Sequence, residues 1–193
     1  MSILYDAAVS RLYEKLIMFS HFKWSRWAAF SRVSGAALLL GMGHLAPAAA
    51  AQADFSGTWT VDWCDKRRPS TECGGFTVHL MQKGDRICGT HSAASPGLSR
   101  MDEGAARSIV GQAVGRTAVM TIQSGRTEGI YLVSARKRTA TIDWRRTETV
   151  KAANGDTDLI ANQALMHKTK TTEGDQGQAN MRAACQAYWT STP

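Results

Sequence analysis

Beyond residue 53 the chain alternates apolar and polar positions with a period of two. In SGTWTVDW (56–63), Trp59, Val61 and Trp63 share one face while Thr58, Thr60 and Asp62 share the other. The same alternation groups Ala118, Met120 and Ile122 in TAVMTIQS (117–124), and Ala140, Ile142 and Trp144 in TATIDWRR (139–146). Alternation with β-branched and aromatic enrichment marks half-buried strands. GFTVHLMQ (75–82), RICGTHS (86–92), RSIVGQAV (107–114), GIYLVSAR (129–136) and DLIANQALMHK (158–168) complete eight candidate strands. Turn residues punctuate them at Lys83-Gly84-Asp85, Gly115-Arg116, Arg136-Lys137-Arg138 and Asn154-Gly155-Asp156. Sequential strands at hairpin spacing predict an all-β domain over 54–171, an eight-stranded antiparallel up-and-down β-barrel, because closure removes the edges an open sheet would expose. A two-sheet β-sandwich satisfies the same alternation. The pattern breaks over 172–193, where a polar linker leads into ANMRAACQAYW, a short C-terminal helix with Met181, Ala184, Cys185 and Tyr188 along one side.

A meander has two unlike ends. The turns after strands two, four and six are short and carry Lys83, Arg86, Arg116, Arg136, Lys137 and Arg138 against Asp85 alone. The opposite connections are longer: CDKRRPSTECG, AASPGLSRMDEGA, GRTE and TETVKAANGDT. One end is therefore expected to be tight and basic, the other open and ringed by loops. This geometry also pairs the cysteines. Cys64 and Cys73 flank the first long connection. Cys88 starts strand three near the tight end, where strand eight finishes and the helix follows, so Cys88 pairs with Cys185 and pins the helix over that end. Closing a loop of about ten residues stabilises by roughly 2.5–3 kcal/mol on the chain-entropy estimate.

Residues 1–53 carry a different signal. Lys23, Arg26 and Arg32 precede the apolar run VSGAALLLGMGHLA and the small residues PAAAAQA, which is the layout of a secretory signal peptide. The run is too short for a comfortable membrane span, so the mature chain is expected to have no integral membrane segment. Cleavage near Ala51 to Ala53 would deliver a periplasmic or secreted domain, and translation from Met18 would account for the long stretch before Lys23. All four cysteines lie beyond the cleavage point, and an even count in an oxidising compartment reads as disulfides. Zinc needs closer ligand pairs than Cys64 and Cys73 provide, and no redox CxxC is present. No metal or cofactor is expected.

The whole chain has a net charge of +7, but residues 54–193 hold 18 Lys and Arg against 14 Asp and Glu, a net +4. So mild a surplus, in an exported chain without a basic groove of stacking aromatics, points away from nucleic acid.

Gly57-Thr58-Trp59 opens the first strand and resembles the G-x-W signature of the calycins, the lipocalin and avidin-like barrels. The resemblance implies a barrel whose tryptophan closes one end and packs on a basic side chain near the last strand, here Lys168 or Lys170. It also implies a small ligand held inside. The Thr-Asp-Tyr motif of lipocalins and the ligand-binding residues of avidins have no counterpart.

Catalytic signals are absent from the sequence. Asp102 and Glu103 are adjacent in a loop and lack the separation of a glycosidic acid/base pair. There is no G-x-S-x-G elbow, and His79, His91 and His167 are scattered. Two non-enzymatic readings follow. In the first, Trp59, Trp63, Phe76, Ala118, Met120, Ile142 and Trp144 line a pocket for a small apolar or amphipathic ligand, with Gly111, Ala113 and Ala140 leaving room. An eight-stranded interior is just wide enough to hold one such ligand or to fill with side chains. In the second, Lys66, Arg67 and Arg68 on the stapled loop, with Arg100, Asp102 and Glu103 on the next connection, grip an envelope protein or polymer. A clamped loop loses less freedom on binding than a slack one. A hydrolase and a lysozyme inhibitor rank below both, the inhibitor because such enzymes are usually basic and a basic domain is poorly steered to them.

Overall fold

The computed structural model describes residues 51–170 and 176–191. Residues 1–50 of the expected signal peptide (1–53), and residues 171–175 and 192–193 around the C-terminal helix, lie outside the described residues. Nine strands form one antiparallel sheet: β1 (Gly57–Trp63), β2 (Gly74–Lys83), β3 (Arg86–Ala94), β4 (Met101–Glu103), β5 (Ile109–Val114), β6 (Thr117–Gln123), β7 (Ile130–Lys137), β8 (Thr141–Lys151) and β9 (Gln163–Thr169). Their order is β2-β1-β9-β8-β7-β6-β5-β3-β4, and β2 also pairs with β3, which closes eight of them into a barrel. The eight expected strands are these eight. The additional one, β4, pairs only with the last three residues of β3. Two-residue Gly-Asp and Gly-Arg turns join β2 to β3 and β5 to β6 at the tight end.

Period two does what the sequence predicts. Trp59, Phe76, Val78, Leu80, Ile87, Ile109, Ala113, Ala118, Met120, Ile122, Val133, Ala135, Ile142, Trp144 and Met166 point inward and are buried in one continuous cluster. Large residues interdigitate with small ones: Trp144 pairs with Ala135 across β7 and with Ala164 across β9. Phe76 meets Trp144 edge-on, with ring centroids 5.3 Å apart. Ala140 is the exception to the expected inward set. It lies in the turn before β8 and is exposed, because the strand begins one residue later.

The tight end is closed by the segment that precedes β1. Phe55 is fully buried beneath Trp59, whose indole N–H donates to the Phe55 carbonyl at 2.9 Å. Gln82 donates to Ala53 and Gly84 carbonyls and accepts from the Phe55 amide, holding this segment across the end. The inward rows of β7 and β9 finish on Lys137 and Lys168, whose ammonium groups lie 4.5 and 5.5 Å from the Trp59 ring centre. Of the two candidate lysines on β9 and beyond, Lys168 is therefore the one on the tryptophan. Gly57 is required beside it, since its φ is +131° and a Cβ there would come within 2.6 Å of the Lys168 stem. Burial lowers the pKa of Lys137, helped by Lys168 and Arg116 and opposed by Asp54.

Both expected disulfides form, Cys64–Cys73 and Cys88–Cys185. The helix is placed differently from expectation. α1 (Gln176–Ser191) lies along the outer wall on β2 and β3, not over the tight end. The cause is strand parity: Ile87 points inward, so Cys88 points outward and draws Cys185 to the outside of the barrel. Cys88, Cys185, Met181 and Trp189 form a second, small core there, flanked by Met81 and Tyr188. Arg86 donates to the Trp189 carbonyl at 2.6 Å, and Arg107 sits 5.1 Å from the Tyr188 ring centre. No helix among the described residues is long and apolar enough to cross a membrane.

Candidate functional site

The loop-bearing end is the part of the molecule with chemistry beyond packing. Its first component is the stapled loop. Asp65 organises it, accepting from the Arg67 amide at 2.9 Å and from Arg68 Nε at 2.8 Å. The Arg68 side chain, then the Arg67 amide, hold the Asp65 carboxyl below its usual range. Lys66, Arg67 and Arg68 are exposed, and only Arg68 has an ion-pair partner among the described residues.

The second component is the 95–100 turn, docked on that loop by a hydrogen bond from the Gly97 amide to the Glu72 carbonyl at 2.8 Å. Ser95 closes the turn on itself: its amide donates to the Arg100 carbonyl, and its hydroxyl accepts from the Arg100 amide. The result projects Leu98 and Met101 outward, 40% and 53% exposed. Leu98 has a φ of +52°. For a residue with a Cβ that conformation costs roughly 1–2 kcal/mol, and such strain concentrates where a chain segment is held for a purpose other than stability.

The third component lies beneath, where four polar residues far apart in sequence meet. Asp102 accepts from the Ser124 hydroxyl at 2.5 Å and from the Gly125 and Arg126 amides at 2.9 and 3.1 Å. His91 Nε2 faces the same carboxylate at 3.5 Å, outside hydrogen-bond geometry. A carboxylate on that side favours the proton on Nε2, so Nδ1 accepts from Ser108, 2.9 Å away. Burial alone would raise the Asp102 pKa, but the His91 imidazole facing the carboxylate, the Ser124 hydroxyl and the Arg126 amide outweigh it and hold it low.

Ser108, His91 and Asp102 share the residue types of a nucleophilic relay, but their arrangement is structural. The His91 side chain is fully enclosed and Asp102 is already saturated with donors. Gly104 lies over the serine and the imidazole, where a Cβ would stand 2.1 Å from Ser108 Oγ and 2.4 Å from His91 Nδ1. A substrate carbonyl would have to occupy that backbone's position. The array ties β4 to the turn between β6 and β7 and closes the barrel at this end. Beside it, Asp158 accepts from Tyr131 Oη and Arg146 at 2.9 Å each, and Ile160 and Ala161 seal the mouth. Among the described residues no group of three or more His, Cys, Asp or Glu is placed to hold a metal ion.

The expected pocket residues do converge. Trp59, Phe76, Ala118, Met120, Ile142 and Trp144 are each at most 1% exposed, and Trp63 is half-buried, stacked on Phe76 at 6.3 Å. They pack on one another. The expected loop set divides. Lys66, Arg67, Arg68, Arg100 and Glu103 are exposed, but Asp102 is not a loop contact, because β4 turns its side chain inward while Met101 and Glu103 face solvent. Sequence reasoning missed His91, Ser108 and Ser124; the inward parity of His91 with Ile87 and Ala93 was the available signal.

Comparison of the chain with protein-family models, curated proteins and solved structures finds no match. What fold and site define is a class: a small closed antiparallel barrel, packed inside, with two disulfides and a loop-bearing end. That class reveals neither activity nor ligand.

Proposed function

We propose that the domain is an exported, non-catalytic recognition module that grips an acidic protein or envelope polymer at its loop-bearing end. The observation that carries this reading is the strained, exposed Leu98, docked through the 95–100 turn onto a disulfide-clamped loop bearing Lys66, Arg67 and Arg68. An apolar tip beside preorganised cations is suited to a partner with acidic groups around an apolar spot, and preorganisation lowers the entropy cost of binding. Two disulfides support export to an oxidising compartment. The Gly57, Trp59 and Lys168 arrangement supports a calycin-like ancestry.

Carriage of a small apolar ligand is the competing proposal, and interior packing supports surface recognition over it. Native mass spectrometry of the protein taken gently from its own compartment separates the two. Recognition predicts a co-isolated macromolecule that disappears in the Lys66→Ser, Arg67→Ser, Arg68→Ser variant at unchanged melting temperature. A small mass lost on denaturation, unaffected by those substitutions, would establish carriage instead.

A further inference from the structure

We infer that the outer wall of β7, β8 and β9 carries a binding site for a phosphate group, independent of the loop-bearing end. Outward positions on these strands align in two rows, Ser134–Arg145–Gln163 and Arg136–Asp143–Leu165. Ser134 is short between longer neighbours, and a cleft of about 390 Å³ opens there, walled by Arg136, Arg138, Arg145 and Gln163.

The charges in this cleft do not cancel. Its one carboxylate is Asp143, and Arg138 grips Asp143 Oδ2 through Nε at 2.7 Å and Nη2 at 2.5 Å. Arg136 and Arg145 have no carboxylate within ion-pair distance among the described residues. In the register they are diagonal neighbours, Arg136 opposite Asp143 and Arg145 opposite Ser134. Diagonal neighbours on a sheet face stand roughly 7–8 Å apart, within reach of long side chains, and like charges at such range repel. An oxyanion between them converts that repulsion into charge-assisted contacts, and the guanidinium fork suits phosphate oxygens. The Ser134 hydroxyl and Gln163 amide add neutral donors at the same place. Inorganic phosphate or a phosphomonoester offers three or more peripheral oxygens, enough for both guanidiniums and the hydroxyl, whereas a phosphodiester headgroup offers two, one for each guanidinium.

Exposed Leu165 at the cleft, and exposed Val119 opposite Ser134 on β6, give apolar contacts to a phosphate carried on an amphiphile. The phosphate source is therefore either a lipid headgroup or a free anion. Two binding measurements on the full oxidised protein at low salt distinguish them: calorimetric titration with inorganic phosphate and pyrophosphate, and co-sedimentation with phosphatidylcholine vesicles with and without phosphatidylglycerol. Each is run on wild type, on Arg136→Gln/Arg145→Gln, and on Lys83→Gln/Arg182→Gln, which removes the same charge from exposed positions on β2 and α1. The site predicts binding that the first variant weakens by about tenfold or more, as loss of two charge-assisted contacts would, while the second leaves it within about twofold, its screened charges lying elsewhere. Binding to the free anions assigns a soluble phosphate, and binding to the anionic vesicles alone assigns a headgroup. Equal weakening by both variants would reduce the effect to net charge and overturn the site. Absence of binding to every probe would overturn it as well.

Discussion

The two ends of this barrel are closed by opposite chemistry. At the tight end Phe55 and Trp59 form an apolar plug, with Lys137 and Lys168 laid over the indole. At the loop-bearing end the closure is a buried polar array centred on Asp102 and His91. The apolar plug draws on burial, which is non-directional and tolerant of small displacements. The polar array depends on directional contacts, since a buried group left unpaired costs its desolvation. The lesson is that an end carrying long loops over a packed interior needs directional contacts to fix where those loops sit, whereas an end of short turns does not.

Removing the plug should have the largest effect. Trp59→Ala is expected to cost about 3–5 kcal/mol, read from the urea midpoint. A loss under about 1 kcal/mol, the scale of an ordinary exposed substitution, would mean the tight end is held by its turns alone. Asp102→Asn should cost about 1–3 kcal/mol at neutral pH, the penalty for buried donors stripped of their charged acceptor. It should also change the acid limb. Because the folded pKa of Asp102 lies below its unfolded value, its contribution is fully present above about pH 4 and is lost as pH falls through the lowered folded value. Chemical denaturation across that acid range should therefore show a shallower decline in the variant than in wild type; parallel declines would remove Asp102 from the account.

Ala118→Leu tests the packed interior between the two ends. Ala118 is fully buried against Ala135 and Ala113, and overpacking there is expected to cost about 1–3 kcal/mol. A neutral or stabilising outcome would show room that a ligand could use. The smallest effect belongs to the lysine on the indole. Lys168→Met should cost about 0.5–1 kcal/mol, the range of a cation–π contact at an exposed site, and the difference from wild type should shrink in high salt. No salt dependence would leave its alkyl stem as the only contributor.

The tight end was legible because strand period, turn residues and the position of Trp59 are all local signals. Its closure by Phe55 was not read, since the helix was expected over that end. The other end resisted reading for a physical reason. His91, Asp102, Ser108 and Ser124 come from separate strands and loops, and each alone has the composition of a solvated residue. β4 is three residues long, too short for alternation to register, although its exposed–buried–exposed pattern is what hides Asp102. The helix shows a different failure. The pairing of Cys88 with Cys185 followed from chain geometry, but the side of the wall it occupies depended on the parity of Cys88 relative to Ile87. That parity was already written in RICGTHS.

The cysteines pair in the order in which they occur, first with second and third with fourth. Exported as proposed above, the chain would present Cys64 and Cys73 together, so that a non-selective oxidant joins them correctly. Cys88 then waits as a lone thiol while the 97-residue separation to Cys185 is delivered. By that stage every strand has emerged, and the last bond can form on a closed barrel. For a chain exported as proposed above, oxidation in order of arrival gives the native pairing without disulfide reshuffling.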